Sequence, residues 1–193
     1  MPKLEQKEES SMNQHNIKNS IFKNILIASV GLHLSISALA ITDEEIAHIV
    51  VTANTVDINA GKVAQKKAKH ADVIKFADWM VNGHGSINHT AAGLVSRLKI
   101  KPADNSTSKD LVKGGEENIA KLNKLSNEQF DMAYMTAEVA YHDAVLDAIN
   151  KTLIPNAKNK ELKETLIKSE AIIQGHVVRA REIVADLNKK SNN

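Results

Sequence analysis

The chain has 193 residues, which suits one domain, and 42% apolar with 25% charged residues is the balance of a folded globule. A net charge of +2, scattered lysines and only 3% aromatics provide neither the basic stripe nor the stacking rings of a nucleic-acid binder. There is no cysteine, which excludes disulfides, thiolate metal sites and cysteine nucleophiles, while three prolines and eight glycines leave few places to break a helix and favour an all-α fold.

At the start of the chain, Lys18 and Lys23 precede the apolar run Ile25-Leu26-Ile27-Ala28-Ser29-Val30-Gly31-Leu32, whose character continues to Ile36. Ala38-Leu39-Ala40 then places small residues where a signal peptidase reads them. Residues 1–40 therefore read as a secretory signal peptide, with residues 41–193 as the mature domain. His33, three serines and an apolar stretch under ~20 residues argue against a stable transmembrane span. Residues 1–11 form an extension ahead of the signal, and a start at Met12 would restore an ordinary leader length; N-terminal sequencing of the precursor distinguishes the two. Removing the leader takes away Lys3, Lys7, Lys18 and Lys23 with Glu5, Glu8 and Glu9, which lowers the net charge from +2 to +1.

Thr42-Asp43-Glu44-Glu45 is a helix start, a capping residue followed by acids in the first turn. The first helix is predicted to run to about Lys69, with Ile46, Val50, Ala53, Asp57, Ala60 and Ala64 on one face. A second, from His70 or Ala71 to about Lys99, carries the seam Val73, Ala77, Met80, His84, Ile87, Ala91, Leu94 and Leu98, stepping by four and three. Lys101-Pro102-Ala103-Asp104-Asn105-Ser106 reads as a loop. A short helix follows from about Ser108 to Leu125, weakened by Gly114-Gly115.

Ser126-Asn127-Glu128-Gln129 has the pattern of a capping box. The third long helix runs from there to about Leu153, where Pro155 stops it, with Met135, Val139, His142, Leu146, Ile149 and Leu153 on its seam. The last helix spans about Asn159 to Asn188, its seam formed by Leu162, Leu166, Ser169, Ile173, His176, Ala180, Ile183 and Leu187. This layout predicts an antiparallel four-helix bundle with a short extra helix in the crossover between helices 2 and 3.

Eight histidines are present, and they are not equivalent. His15 and His33 leave with the leader, while His48 and His89 fall off the seams and His70 lies at a helix junction, and these three read as solvated. His84, His142 and His176 each occupy a core position on a different helix, and Asp57 occupies one on the fourth. With both short turns at one end of the bundle, all four fall roughly 16–26 Å from that end. Imidazoles and a carboxylate among Ala, Val and Ile must find partners, because a buried polar group without one costs about 1–3 kcal/mol. Two accounts satisfy them: one transition-metal ion (iron, zinc, copper or manganese) or a hydrogen-bonded polar layer that fixes helix packing. Met80, one turn from His84, is either a bias toward copper or core filler. Tyr134 and Asp131, one turn apart on the third helix, are candidates for a supporting network. No serine-nucleophile motif, phosphate-binding glycine loop or HExxH is present, so no catalytic residue and no reaction are assigned.

At several of these positions the chain resembles the bacterial domain-of-unknown-function family numbered 4142, ferritin-like exported proteins. The resemblance covers about residues 43–188. It rests on Asp57-Ile58-Asn59-Ala60-Gly61-Lys62-Val63-Ala64, on Phe76-Ala77 through Met80-Val81 to His84, on Phe130-Asp131 with Tyr134 and His142, and on His176 followed by Ala180-Arg181. Similar proteins usually carry Asp just before the first of these histidines, where this chain has Gly83. They often carry Pro five residues before the last, where it has Ala171. Glu138 and His142 are spaced by four rather than as Glu-x-x-His, so the resemblance implies no ferroxidase or oxygenase activity. It implies a ferritin-like fold and residence in the periplasm or cell envelope. Function then divides between a metal-binding bundle with a storage, protective or stress role and a non-catalytic envelope interaction protein. A protein partner or homo-oligomer is not specified.

Overall fold

The computed structural model describes residues 41–191, so the expected leader and the alternative start at Met12 lie outside the described residues. The described chain is all helical: α1 Asp43–Lys67, α2 Ala71–Leu98, α3 Ser106–Asn123, α4 Asn127–Ala148 and α5 Lys160–Ser191. No helix among them is long and apolar enough to cross a membrane.

Local chemistry accounts for most of the boundaries. Thr42 closes a capping box: its Oγ1 accepts from the Glu45 N–H at 3.3 Å, and the Glu45 carboxylate accepts from the Thr42 N–H at 2.9 Å. Asn105 and Ser108 form another, so α3 begins two residues earlier than expected. The box expected at Ser126 does not form. Its hydroxyl meets the Gln129 side chain at 3.3 Å, and the first turn of α4 is held by the Ser126 backbone carbonyl alone. Nor does the chain stop at Pro155. After Ala148 the helix widens into a π turn over Ile149–Leu153 and continues to Asn156. The wider turn relieves the clash that a proline ring makes with the preceding turn of an α-helix. Asn159 then starts α5, its Oδ1 accepting from the N–H groups of Glu161 and Leu162 at 3.0 and 3.1 Å.

The two short turns lie at opposite ends, not at one end. Asp131, at the start of α4, accepts from the N–H groups of Lys69 and His70 in the α1–α2 turn at 2.7–3.2 Å. Asp43, at the start of α1, accepts from Lys158 and Asn159 in the turn before α5, both at 2.9 Å. The reason is α3, which runs the length of α1 before the chain turns into α4. Its C-terminal carbonyls at Leu122 and Asn123, with that of Leu125, are capped by the Lys67 ammonium at 2.8–3.3 Å. Consequently α1 and α5 run one way and α2 and α4 the other.

Two glycines set helix spacing. A Cβ on Gly115 would sit 2.6 Å from Val56 Cγ1, so the residue expected to weaken α3 is what lets it approach α1. A Cβ on Gly61 would sit 2.9 Å from Val81 Cγ2 and 3.3 Å from the Ala77 carbonyl, which fixes the α1–α2 approach.

The apolar core comes in two halves. One gathers Ala64, Val73, Phe76, Met80, Phe130, Tyr134, Met135 and Ile183; the other gathers Ile46, Ile49, Leu94, Leu111, Ile149, Leu153, Leu162, Leu166 and Ile173. Asp57, His84, His142 and His176 belong to neither, and all four are buried. A polar cluster of this kind, set within an otherwise apolar interior, is the feature that calls for a function.

Candidate metal centre

Each of α1, α2, α4 and α5 delivers one of the four side chains picked out from the sequence. Asp57 Oδ2 lies 2.8 Å from His84 Nε2 and 3.9 Å from His142 Nε2. His176 Nδ1 lies 3.3 Å from His142 Nε2. The three imidazole centroids are 5.1–5.7 Å apart. Ligand-type atoms of His84, His142 and His176 fall within 4.8 Å of one another, and so do those of Asp57, Glu138 and His142. These groups could hold a metal ion.

The outer edges of two rings are already committed. His142 Nδ1 lies 3.0 Å from the backbone carbonyl of Glu138, which can only accept, so this nitrogen carries the hydrogen and Nε2 is left as a lone pair. For His84 a chain of partners reaches the same result. The Thr55 hydroxyl donates to the Val51 carbonyl at 2.8 Å and accepts from Asn88 Nδ2 at 3.3 Å. Asn88 Oδ1 therefore faces inward and accepts from Asn54 Nδ2 at 2.9 Å. That leaves Asn54 Oδ1 to accept from His84 Nδ1 at 2.7 Å. The His84 nitrogen facing Asp57 is then Nε2. The contact between them is short but off the line of a hydrogen bond, for neither atom has a hydrogen-bond partner. Fixing a ring by its far nitrogen is the outer-shell arrangement that metal-ligating histidines use.

Electrostatics follow from burial. Burial alone would raise the Asp57 carboxyl, but the contact with His84 and the charge of His142 hold it down at about 2. Burial lowers His142, with His84 adding to the effect. Burial, His142 and His84 together push His176 down to about 3. Glu138 moves the other way, raised well above the usual carboxylate range by burial and by the Asp57 charge.

Sequence reasoning missed Glu138, Asn54, Asn88 and Trp79. Glu138 stands three residues after Met135 and four before His142, so the α4 spacing carries its signal, but the seam was traced through Val139. Asn54 lies one turn before Asp57, a polar residue on a buried face. Trp79 covers His176 edge-on at 4.4 Å between centroids while 42% exposed. Other expectations are corrected. Asp131 clamps the α1–α2 turn instead of supporting the centre, and Met80 is fully buried in the apolar core. His70 is a half-buried N-cap of α2 whose Nδ1 accepts from the Asp72 N–H at 3.3 Å. His48 is half-buried along the cleft between α1 and α3, and His89 is exposed as expected.

No curated protein and no solved structure matches this chain. One family model does, over residues 32–183, a span that includes Asp57, His84, His142 and His176. The chain belongs to that family, described as a domain of unknown function (DUF4142).

Proposed function

We propose that this chain is an exported protein of the bacterial periplasm or envelope, folded as a ferritin-like four-helix bundle. In this reading it holds one transition-metal ion between Asp57, His84, His142 and His176, in a storage, protective or stress role. The observation that carries the reading is where the unpartnered buried polar atoms lie. Among the described residues they are Asp57 Oδ1 and Oδ2, His84 Nε2, His176 Nε2, Glu138 Oε2 and the Tyr134 hydroxyl, with His48 Nδ1 alone lying elsewhere. Each such atom costs about 1–3 kcal/mol unless something is bound to it. Imidazole nitrogens with a carboxylate oxygen suit zinc, iron, copper or manganese.

A second reading draws on the same contacts. The close Asp57–His84 approach can be bridged by a proton, making a polar layer that fixes helix packing in a non-catalytic interaction protein. Metal analysis separates the two. After exposure to iron, zinc, copper and manganese and removal of loose ions, the first reading predicts one tightly held equivalent, lost when His84, His142 and His176 are all changed to Ala. Native protein that retains no metal sinks it. A triple variant that only melts lower and binds metal equally means that the site lies elsewhere.

A further inference from the structure

The buried cluster is larger than the four residues and it is lopsided. His142 shows one edge to Asp57 and His176, through Nε2, and the other to Glu138, whose Oε2 lies 3.6 Å from Nδ1. Glu138 is 2% exposed, and its ion-pair contact is to His142, with no lysine or arginine paired to it or to Asp57 among the described residues. One turn earlier on the same face of α4, Tyr134 is fully buried. Its hydroxyl, Glu138 Oε2 and Asp57 Oδ1 all lack a hydrogen-bond partner. Ligand-type atoms of Asp57, Glu138 and His142 lie within 4.8 Å of one another, and Tyr134 stands four residues before Glu138, its neighbour on the helix surface.

We infer that Asp57, Glu138 and the Tyr134 hydroxyl form a second, oxygen-rich cation position beside the three histidines, with Asp57 shared between the two. His142 cannot serve both positions, because its Nδ1 hydrogen is committed to the Glu138 carbonyl and only Nε2 is a lone pair. The second position is therefore built from oxygen, and its chemistry is that of a hard divalent cation such as Mn(II) or Fe(II), not of a soft one. The carboxylate of Asp57 has two oxygens, one of which, Oδ2, already faces His84 and His142. Two buried carboxylates close together repel, and a cation between them offsets that repulsion. A proton shared by the two acids would offset it as well, and the test must tell these apart.

This inference rests on the metal reading of the histidine site, and its failure can be told from the failure of that reading. The full chain, stripped with a chelator, is titrated with manganese(II) chloride and followed by bound-metal analysis and electron paramagnetic resonance. Native protein is expected to bind two equivalents, the second broadening the signal of the first because the ions are neighbours. Glu138→Gln is expected to bind one equivalent with an unbroadened signal, and Tyr134→Phe to weaken the second equivalent about tenfold. If Glu138→Gln does not fold, Glu138→Asp, which draws the carboxylate back by one methylene, should weaken the second equivalent and spare the first. One equivalent in native protein, unchanged in the Glu138 variants, means that the acids share a proton and overturns the second position while leaving the histidine site intact. Two uncoupled equivalents that both survive in Glu138→Gln overturn it too, by placing the second ion elsewhere. No manganese, zinc or iron bound at all removes the underlying reading.

Discussion

Asp57 Oδ2 and His84 Nε2 approach to 2.8 Å in the buried interior without hydrogen-bond geometry, while Asn54 holds the opposite nitrogen of the same ring at 2.7 Å. Two lone-pair carriers this close require a cation between or beside them, a proton or a metal ion. The row of Thr55, Asn88 and Asn54 settles which nitrogen is offered.

That row is open to test by mutation. Asn54→Ala leaves His84 Nδ1 without its acceptor and frees the ring to rotate or change tautomer. Metal affinity should fall about 10–100-fold with the bound stoichiometry unchanged. Asn88→Ala, one step further out, should show the same effect more weakly. Isothermal titration with zinc on both variants checks this, and wild-type affinity in Asn54→Ala would mean that the ring is held by packing alone.

Acid should destabilise the metal-free fold. His176 falls from 6.5 unfolded to about 3 folded, and His142 is lowered as well, so the unfolded chain takes up protons that the folded one refuses once the pH drops below 6.5. Glu138 opposes this: its raised folded pKa contributes stability below 4.5 that is lost as pH rises through that folded value. Asp57, at about 2 against 3.8 unfolded, contributes above 3.8 and loses that contribution as pH falls toward 2. The two lowered histidines outnumber the one raised glutamate, so unfolding is accompanied by net proton uptake between pH 6.5 and 4.5 and stability falls as the pH drops through that window. Urea midpoints measured across that window should fall as the pH is lowered. A flat or rising midpoint would contradict the assigned burial.

The chain has a single tryptophan, and it covers a proposed ligand. With Trp79 at 4.4 Å from the His176 ring, copper(II) or iron bound at the centre should quench its fluorescence by more than half. The quenching should disappear in His176→Ala. Unchanged emission at saturating metal would place the ion away from this ring.

Glycine substitutions should split by position. Gly61→Ala puts a methyl 2.9 Å from Val81 and 3.3 Å from a backbone carbonyl, and it should cost about 1–3 kcal/mol as α1 and α2 separate. Gly93→Ala meets nothing within 4 Å and should gain about 0.5–1 kcal/mol from helix propensity alone. Thermal melts of the two variants decide it; equal effects would mean that Gly61 is not a contact point.

Much of this was readable beforehand, because period and composition report on burial. The four-and-three spacing through Met80, His84, Leu94, Met135, His142, Leu166, Ile173 and His176 located the buried faces and put the three histidines on them. Direction was not readable. Nothing local to the sequence says that α3 runs the length of α1, so the 157–159 turn was put at the wrong end. The four residues still meet because each lies near the middle of its helix. Glu138 was passed over for a different reason. Glutamate is rarely buried unless paired, so helical spacing alone does not mark Glu138 as interior, and only its surroundings show the acid turned inward.

The central claim is tested most directly by anomalous diffraction from crystals of the chain soaked with zinc or iron. The account predicts a peak within about 2.0–2.2 Å of His84 Nε2, His142 Nε2, a His176 nitrogen and an Asp57 oxygen. A density-free centre, with metal only at surface positions such as His89, would contradict it.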